Sequence, residues 1–195
     1  VMTSDAGTPQ GGIVSPLLSN LYLHEALDDW FAKDVQPRMK GAAQMVRFAD
    51  DAVLCFQREE DARRVLKVLG KRMAKYGLKL HPEKTKLVDF RPPQWGQSKG
   101  RGSFSFLGFC FYWGRSRKGR AVVKLKTAKE RWTRTAKALG EWLSCNRHQP
   151  VATQHAQLSV KLRGHFQYFG VTFNSRAPRN LVEEVKKRWR VCLNR

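Results

Sequence analysis

Apolar positions recur along the chain with two different periods, and each change of period marks a predicted element. Residues 1–12 are rich in Gly, Ser, Thr and Pro and read as a loop. Ser15-Pro16 then opens a helix, proline being tolerated in a first turn where its missing N–H would be unpaired anyway. Leu17, Leu18, Leu21, Ala26, Leu27, Trp30 and Phe31 give that helix one apolar face. Two β-prone runs follow, Met45-Val46-Arg47-Phe48 and Ala52-Val53-Leu54-Cys55-Phe56, with Ala49-Asp50-Asp51 where the chain must reverse, which predicts a hairpin over about 44–56. A helix fits 59–76, with Ala62, Leu66, Leu69, Met73 and Tyr76 at helical spacing, Glu59–Arg63 and Glu60–Arg64 as i,i+4 pairs, and Gly77 at its C-terminal cap.

Beyond Gly77 the pattern predicts short strands at 78–81 and 86–90 turned by Pro82, then a loop over 91–103. Strands at about 104–113 and 120–126 form a second predicted hairpin, turned at Gly114–Gly119. From Thr127 the period becomes helical. Thr127 and Glu130 form a capping-box pattern ahead of Trp132, Ala136, Leu139, Trp142 and Leu143. A further helix is predicted over 153–170, on Leu158, Leu162, Phe166 and Phe169, with Arg176-Ala177-Pro178-Arg179 breaking it. Asn180 is placed to cap a last helix whose buried face is Val182, Val185, Trp189 and Cys192. The reading is an α+β fold to about residue 126, followed by a three-helix bundle.

Charge sharpens that division. The chain of 195 residues carries 37 Lys+Arg against 16 Asp+Glu, a net +21, which calls for a polyanionic partner. Residues 1–90 hold 14 basic and 12 acidic side chains, whereas residues 91–195 hold 23 and 4. A metal-dependent catalytic part joined to a cationic, nucleic-acid-gripping part is the expected organisation. Cys55, Cys110, Cys145 and Cys192 lack C-x-x-C spacing, so reduced, buried thiols in a cytosolic protein are expected. No apolar run is long enough for a membrane span.

Asp50 and Asp51 carry the candidate chemistry. Two adjacent anionic side chains beside a strand core need a cation, and Mg²⁺ takes oxygen ligands while leaving positions open for phosphate. On a strongly basic chain this points to nucleotidyl transfer.

Four strings then occur in order: Gly7-Thr8-Pro9-Gln10-Gly11-Gly12 with Ser15-Pro16-Leu17-Leu18 and Asn20; Phe48-Ala49-Asp50-Asp51; Gly77-Leu78-Lys79-Leu80 with Lys84-Thr85; and Phe106-Leu107-Gly108-Phe109. Together they resemble palm motifs B, C, D and E of a reverse transcriptase. The first string, and the tail Leu162-Arg163-Gly164-His165-Phe166-Gln167-Tyr168-Phe169, are similar to the enzymes encoded by group II introns, where the tail is the thumb or maturase region.

The resemblance implies a partial palm over 1–103, a primer-grip hairpin over 104–126 and a basic thumb/maturase bundle over 127–195. It implies that Asp50 and Asp51 hold two Mg²⁺ ions, and that Lys84 neutralises or protonates the leaving pyrophosphate. Pro9, Gln10, Gly11, Gly12, Phe48 and Ala49 would meet nucleotide and template, and Leu107 and Gly108 the primer end. Phe48 stands where the family usually has Tyr, and His81 where it usually has Asn. Lys124, Lys126, Lys129, Arg131, Arg134, Lys137, Lys161, Arg163, Lys186, Lys187, Arg188 and Arg190 would contact phosphates. Trp132, Trp142 and Trp189 read as bundle core.

The implied partners are group II intron RNA, an RNA template with its DNA primer, and dNTPs, and the implied setting is a bacterial-type cytoplasm in association with nucleoid or ribonucleoprotein. The family's third carboxylate, from motif A, is not supplied before Gly7, where only Asp5 lies. The chain therefore reads as a fragment that does not polymerise alone. No histidine–cysteine endonuclease pattern is present. The alternatives are a non-catalytic RNA-binding maturase, or a reverse transcriptase of the retron or defence-associated kind.

Overall fold

The computed structural model describes residues 14–93 and 102–194. The chain divides into two compact units, Val1–Leu87 and Val88–Arg195, each described by itself.

In the first unit, helix α1 (Ser15–Leu23) continues through π turns at His24–Asp29 and Phe31–Val35 to a 3₁₀ turn at Gln36–Arg38. The predicted single face does not form. Ala26, Leu27, Phe31 and Val35 are buried, but Leu17, Leu18 and Leu21 are 70%, 47% and 66% exposed. A π turn takes more residues than an α turn, so a stripe projected at 3.6 residues per turn loses phase across it.

Strands β1 (Ala43–Phe48) and β2 (Asp51–Phe56) form the expected antiparallel hairpin, with Ala43 opposite Phe56 and Phe48 opposite Asp51. Strand alternation turns Ala43 and Met45 toward the core and leaves Gln44, Val46 and Phe48 exposed. Helix α2 (Glu59–Lys75) buries Ala62, Val65, Leu69 and Met73; Val65 takes the place predicted for Leu66, which is 38% exposed. The Gly77 cap is present: φ is +67°, its N–H reaches the Ala74 carbonyl, and the Leu78 N–H reaches the Met73 carbonyl. Glu59 pairs with Arg63 at 2.7 Å, but Glu60 lies 3.9 Å from Lys40 rather than against Arg64. Buried Asp61 instead stands 4.0 Å from Arg64 and accepts the Lys40 and Gly41 N–H groups, fixing the entry to β1. The strands predicted at 78–81 and 86–90 are absent. Residues 78–90 have no ladder partner among the described residues, and a turn at Pro82–Lys84 is closed by the Thr85 N–H on the His81 carbonyl.

The second unit opens with an antiparallel sheet of β3 (Phe104–Phe106), β4 (Phe109–Arg115) and β5 (Ala121–Thr127), in that order. The single strand predicted over 104–113 is thus folded at Leu107-Gly108, where φ is +50° and +77°. Three helices follow, α3 (Lys129–Cys145), α4 (Val151–Phe169) and α5 (Arg176–Leu193). Their core is Ala136, Leu139, Leu143, Leu158, Leu181 and Val185, with Trp132, Trp142, Leu162, Trp189 and Cys192 packed around it.

Three helix-end expectations are corrected. The capping box does not form, because Thr127 is the buried last residue of β5 and Ala128 is the N-cap. Arg176–Arg179 does not break a helix. It is the first turn of α5, where Pro178 lacks only an N–H that would be unpaired, so Ser175 rather than Asn180 precedes the helix. Buried Asn174 makes the separation instead: its Oδ1 accepts the Thr127 N–H, and its amide donates to Thr127 Oγ1 and the Phe169 carbonyl. The cysteines are free, but Cys55 and Cys145 are exposed, contrary to the expectation of buried thiols.

Candidate functional site

The β1–β2 connection is a two-residue loop, Ala49-Asp50, with Asp51 already paired to Phe48 across the ladder. Ala49 adopts φ +51°, the left-handed conformation a tight hairpin demands at its first loop position and one that costs an alanine about 1 kcal/mol. Asp50 and Asp51 therefore stand side by side, both exposed, on a short hairpin backed by a packed core. Among the described residues no ion pair engages either carboxylate, and no group of three His, Cys, Asp or Glu side chains is assembled. Their donors are hard oxygens, which suit Mg²⁺.

Sequence reasoning missed the support beneath this turn. Arg47 is 13% exposed and donates to both oxygens of Asp28, from Nε at 2.7 Å and from Nη2 at 2.6 Å. Its Nη1 donates to Asn20 Oδ1 at 3.0 Å and to the Ala49 carbonyl at 2.8 Å. One guanidinium thus ties α1, the π turn and the strained loop residue together. Arg47 holds the Asp28 carboxyl below the ordinary carboxylate range, helped by His24, and Asp28 in turn holds Arg47 in its charged form. The available signal was an arginine at an inward position of an otherwise apolar strand, where an unpaired charge is untenable.

The other predicted positions are dispersed. Phe48 is 64% exposed, and Lys84 is exposed in the Pro82–Lys84 turn. Pro9, Gln10, Gly11 and Gly12 lie outside the described residues.

In the second unit the Leu107-Gly108 turn is enclosed by helices. The Gly108 carbonyl accepts the Ala128 N–H, and Tyr168 Oη donates to the Leu107 carbonyl at 2.9 Å. Phe109 stacks on Tyr168 and lies against Phe169, with ring centroids 5.6 and 5.1 Å apart. A side chain at Gly108 would meet Phe169 and the Arg131 guanidinium. Of the predicted phosphate contacts, Lys126, Lys129, Arg131, Arg134, Lys137, Lys161, Arg163, Lys186, Lys187 and Arg190 are exposed, and Lys124 is half-buried near the Phe173 ring. Lys186 pairs with Glu183, Lys137 lies 3.8 Å from Glu141, and Arg188 is turned inward onto Glu184 and the Ala136 carbonyl, which lowers their availability to phosphate. His165 is held below the ordinary imidazole range, first by burial and then by the Arg131 charge.

Residues 2–111 match the family described as reverse transcriptase (RNA-dependent DNA polymerase), and the chain belongs to that family. The matched segment takes in the aspartate hairpin, α2 and the Leu107-Gly108 turn. Nucleotidyl transfer directed by an RNA template is the activity the family carries. No curated protein matches the chain. Among the described residues, no helix is long and apolar enough to cross a membrane.

Proposed function

We propose that this chain carries part of the catalytic palm and the nucleic-acid-gripping thumb of a reverse transcriptase encoded by a group II intron. The observation that carries this reading is the pair of exposed, adjacent carboxylates at a hairpin tip, Asp50 in the two-residue loop and Asp51 at the start of β2, braced from below by Arg47. Asp50 and Asp51 would hold Mg²⁺, which when bound activates a primer 3′-hydroxyl and neutralises charge on the departing pyrophosphate. The turn presents both carboxylates without a competing cation. Arg47 fixes the Ala49 carbonyl, and with it the direction in which the loop points. Lys84 would place positive charge beside the leaving group. Leu107 and Gly108 offer backbone to a primer end, and the exposed lysines and arginines of β5 and α3–α5 would hold phosphates of template, primer and intron RNA.

In a polypeptide that supplies the family's third carboxylate, Asp50→Asn with Asp51→Asn should reduce cDNA synthesis by roughly a thousandfold while RNA binding persists. Unaffected synthesis would refute the metal assignment. A second reading, an RNA-binding maturase acting in splicing without catalysis, is favoured by the 23 basic against 4 acidic residues of 91–195. Splicing that survives the double substitution, with synthesis lost, would place both functions on one chain.

A further inference from the structure

Between α3 and α4 runs an open cleft of about 530 Å³, within the range of small-ligand sites. Its rim carries Arg131, Arg134 and Lys161, all exposed, and no acidic side chain lines it. None of the three cations enters an ion pair among the described residues, whereas Lys137, Lys186 and Arg188 elsewhere on the bundle all have acidic neighbours. The walls are aromatic. Trp142 lies under the Lys161 ammonium at 5.4 Å, and His165 stacks on Phe169 at 4.5 Å. The His165 Nε2 is buried without a hydrogen-bond partner.

Gly164 completes the arrangement. It sits in the interior of α4, where glycine weakens a helix, and a Cβ added there would meet nothing within 4 Å. Neither a turn nor a packing contact accounts for it. Gly164 lines the cleft from the exposed side of α4, so the missing side chain leaves the mouth of the cleft open there.

Cations at the rim, flat rings below and an open mouth at Gly164 match an unstacked nucleotide, with its phosphate on the arginines and its base among the rings. We propose that the α3–α4 cleft is a binding site for an unpaired nucleotide of single-stranded nucleic acid. This rests on the reading of the basic helices as a nucleic-acid interface and adds that one part of it takes a base, where the rest takes phosphates. A duplex, whose bases are stacked and paired, could use the rim but not the rings beneath it.

The test is fluorescence anisotropy on the whole chain at physiological ionic strength, with a short labelled oligouridylate and a blunt RNA duplex of equal length. EDTA is present throughout, so failure here leaves the metal assignment standing, and failure of the aspartate substitutions leaves this one standing. Gly164→Leu places a bulky side chain in the mouth of the cleft and should weaken oligouridylate binding by roughly tenfold, leaving duplex binding within about twofold of the parent. Its melting temperature should not fall, because the new side chain meets open space and favours helix. Equal affinity of parent and variant for oligouridylate, or equal losses on both probes, would overturn the proposal. If Gly164→Leu fails to fold, Arg134→Gln with Lys161→Gln at exposed positions takes its place. That pair must weaken oligouridylate, and unchanged binding would also overturn the proposal. Iodouridine in the oligonucleotide should cross-link to peptides containing Trp142 or His165; cross-links confined to other helices would count against the cleft.

Discussion

Two tight turns, each flanked by a phenylalanine on the side where the chain enters, are treated in opposite ways by the fold. Phe48-Ala49-Asp50-Asp51 puts its loop into solvent and is held by a single side-chain donor, Arg47, on the Ala49 carbonyl. Phe106-Leu107-Gly108-Phe109 is held by the Ala128 N–H, the Tyr168 hydroxyl and the Phe109 ring stack, with three elements converging on it. Both turns contain a non-glycine residue at positive φ, Ala49 and Leu107. The strain is therefore shared and the bracing is not. A turn whose side chains would receive ions, as proposed for Asp50 and Asp51, has to keep those side chains free, so its support comes from behind, along the strand. A turn that would offer only backbone to a strand end can be enclosed by packing on its remaining sides.

The sharpest way to break this comparison is to remove the lone brace. Arg47→Ala strands Asp28 and frees the Ala49 carbonyl, and is expected to lower the stability of the first unit by about 2 kcal/mol. Urea denaturation would read that loss, and a change below about 0.5 kcal/mol would mean the turn holds itself.

Smaller effects come from exchanging the two turns' residues. Gly108→Ala should cost about 1–2 kcal/mol, since φ is +77° and the new methyl meets Phe169 and Arg131. Ala49→Gly should shift stability by only about 0.5 kcal/mol in the favourable direction, because relief of strain is partly offset by the entropy of the unfolded glycine. If both substitutions had the same sign, the claim of shared strain would be wrong.

Acidification should separate the two surroundings most gently. His165 is held below the ordinary imidazole value of 6.5, so the unfolded chain takes up its proton first. Its contribution is complete above that value and declines as pH falls beneath it. Asp28, held below 3.8, contributes fully above that value and loses its contribution only as pH falls through its lower folded value. A melting temperature that declines from about pH 7 to 5, with His165→Gln flattening the decline, is the expected profile.

Much of this architecture can be read from residue patterns, for identifiable reasons. The β1–β2 hairpin, α2 with its Gly77 cap and the three-helix core are set by local periodicity and turn chemistry. Where a distant partner decides, the pattern misleads. Leu107-Gly108 lacks the usual Asn-Gly signal and hides a reversal inside an apolar run. Thr127 resembles a cap until Asn174, 47 positions later, claims it. The π turns after α1 leave no compositional trace, so periodicity alone places the exposed leucines inward. The Asp50–Asp51 pair was legible because two like charges between strands are anomalous locally. Arg47 was not, because its partner Asp28 lies 19 residues away.

The Asn174 clamp also bears on the order in which the second unit can form. The β4–β5 hairpin and each helix make short-range contacts that need little loop closure. The amide that joins the end of β5 to the end of α4 must wait until two whole helices lie in place, so it belongs to the late, native side of the folding barrier. Weakening it would hasten unfolding and leave the refolding rate almost untouched. The half-life of the folded second unit, more than the speed of its assembly, therefore depends on that single buried carboxamide.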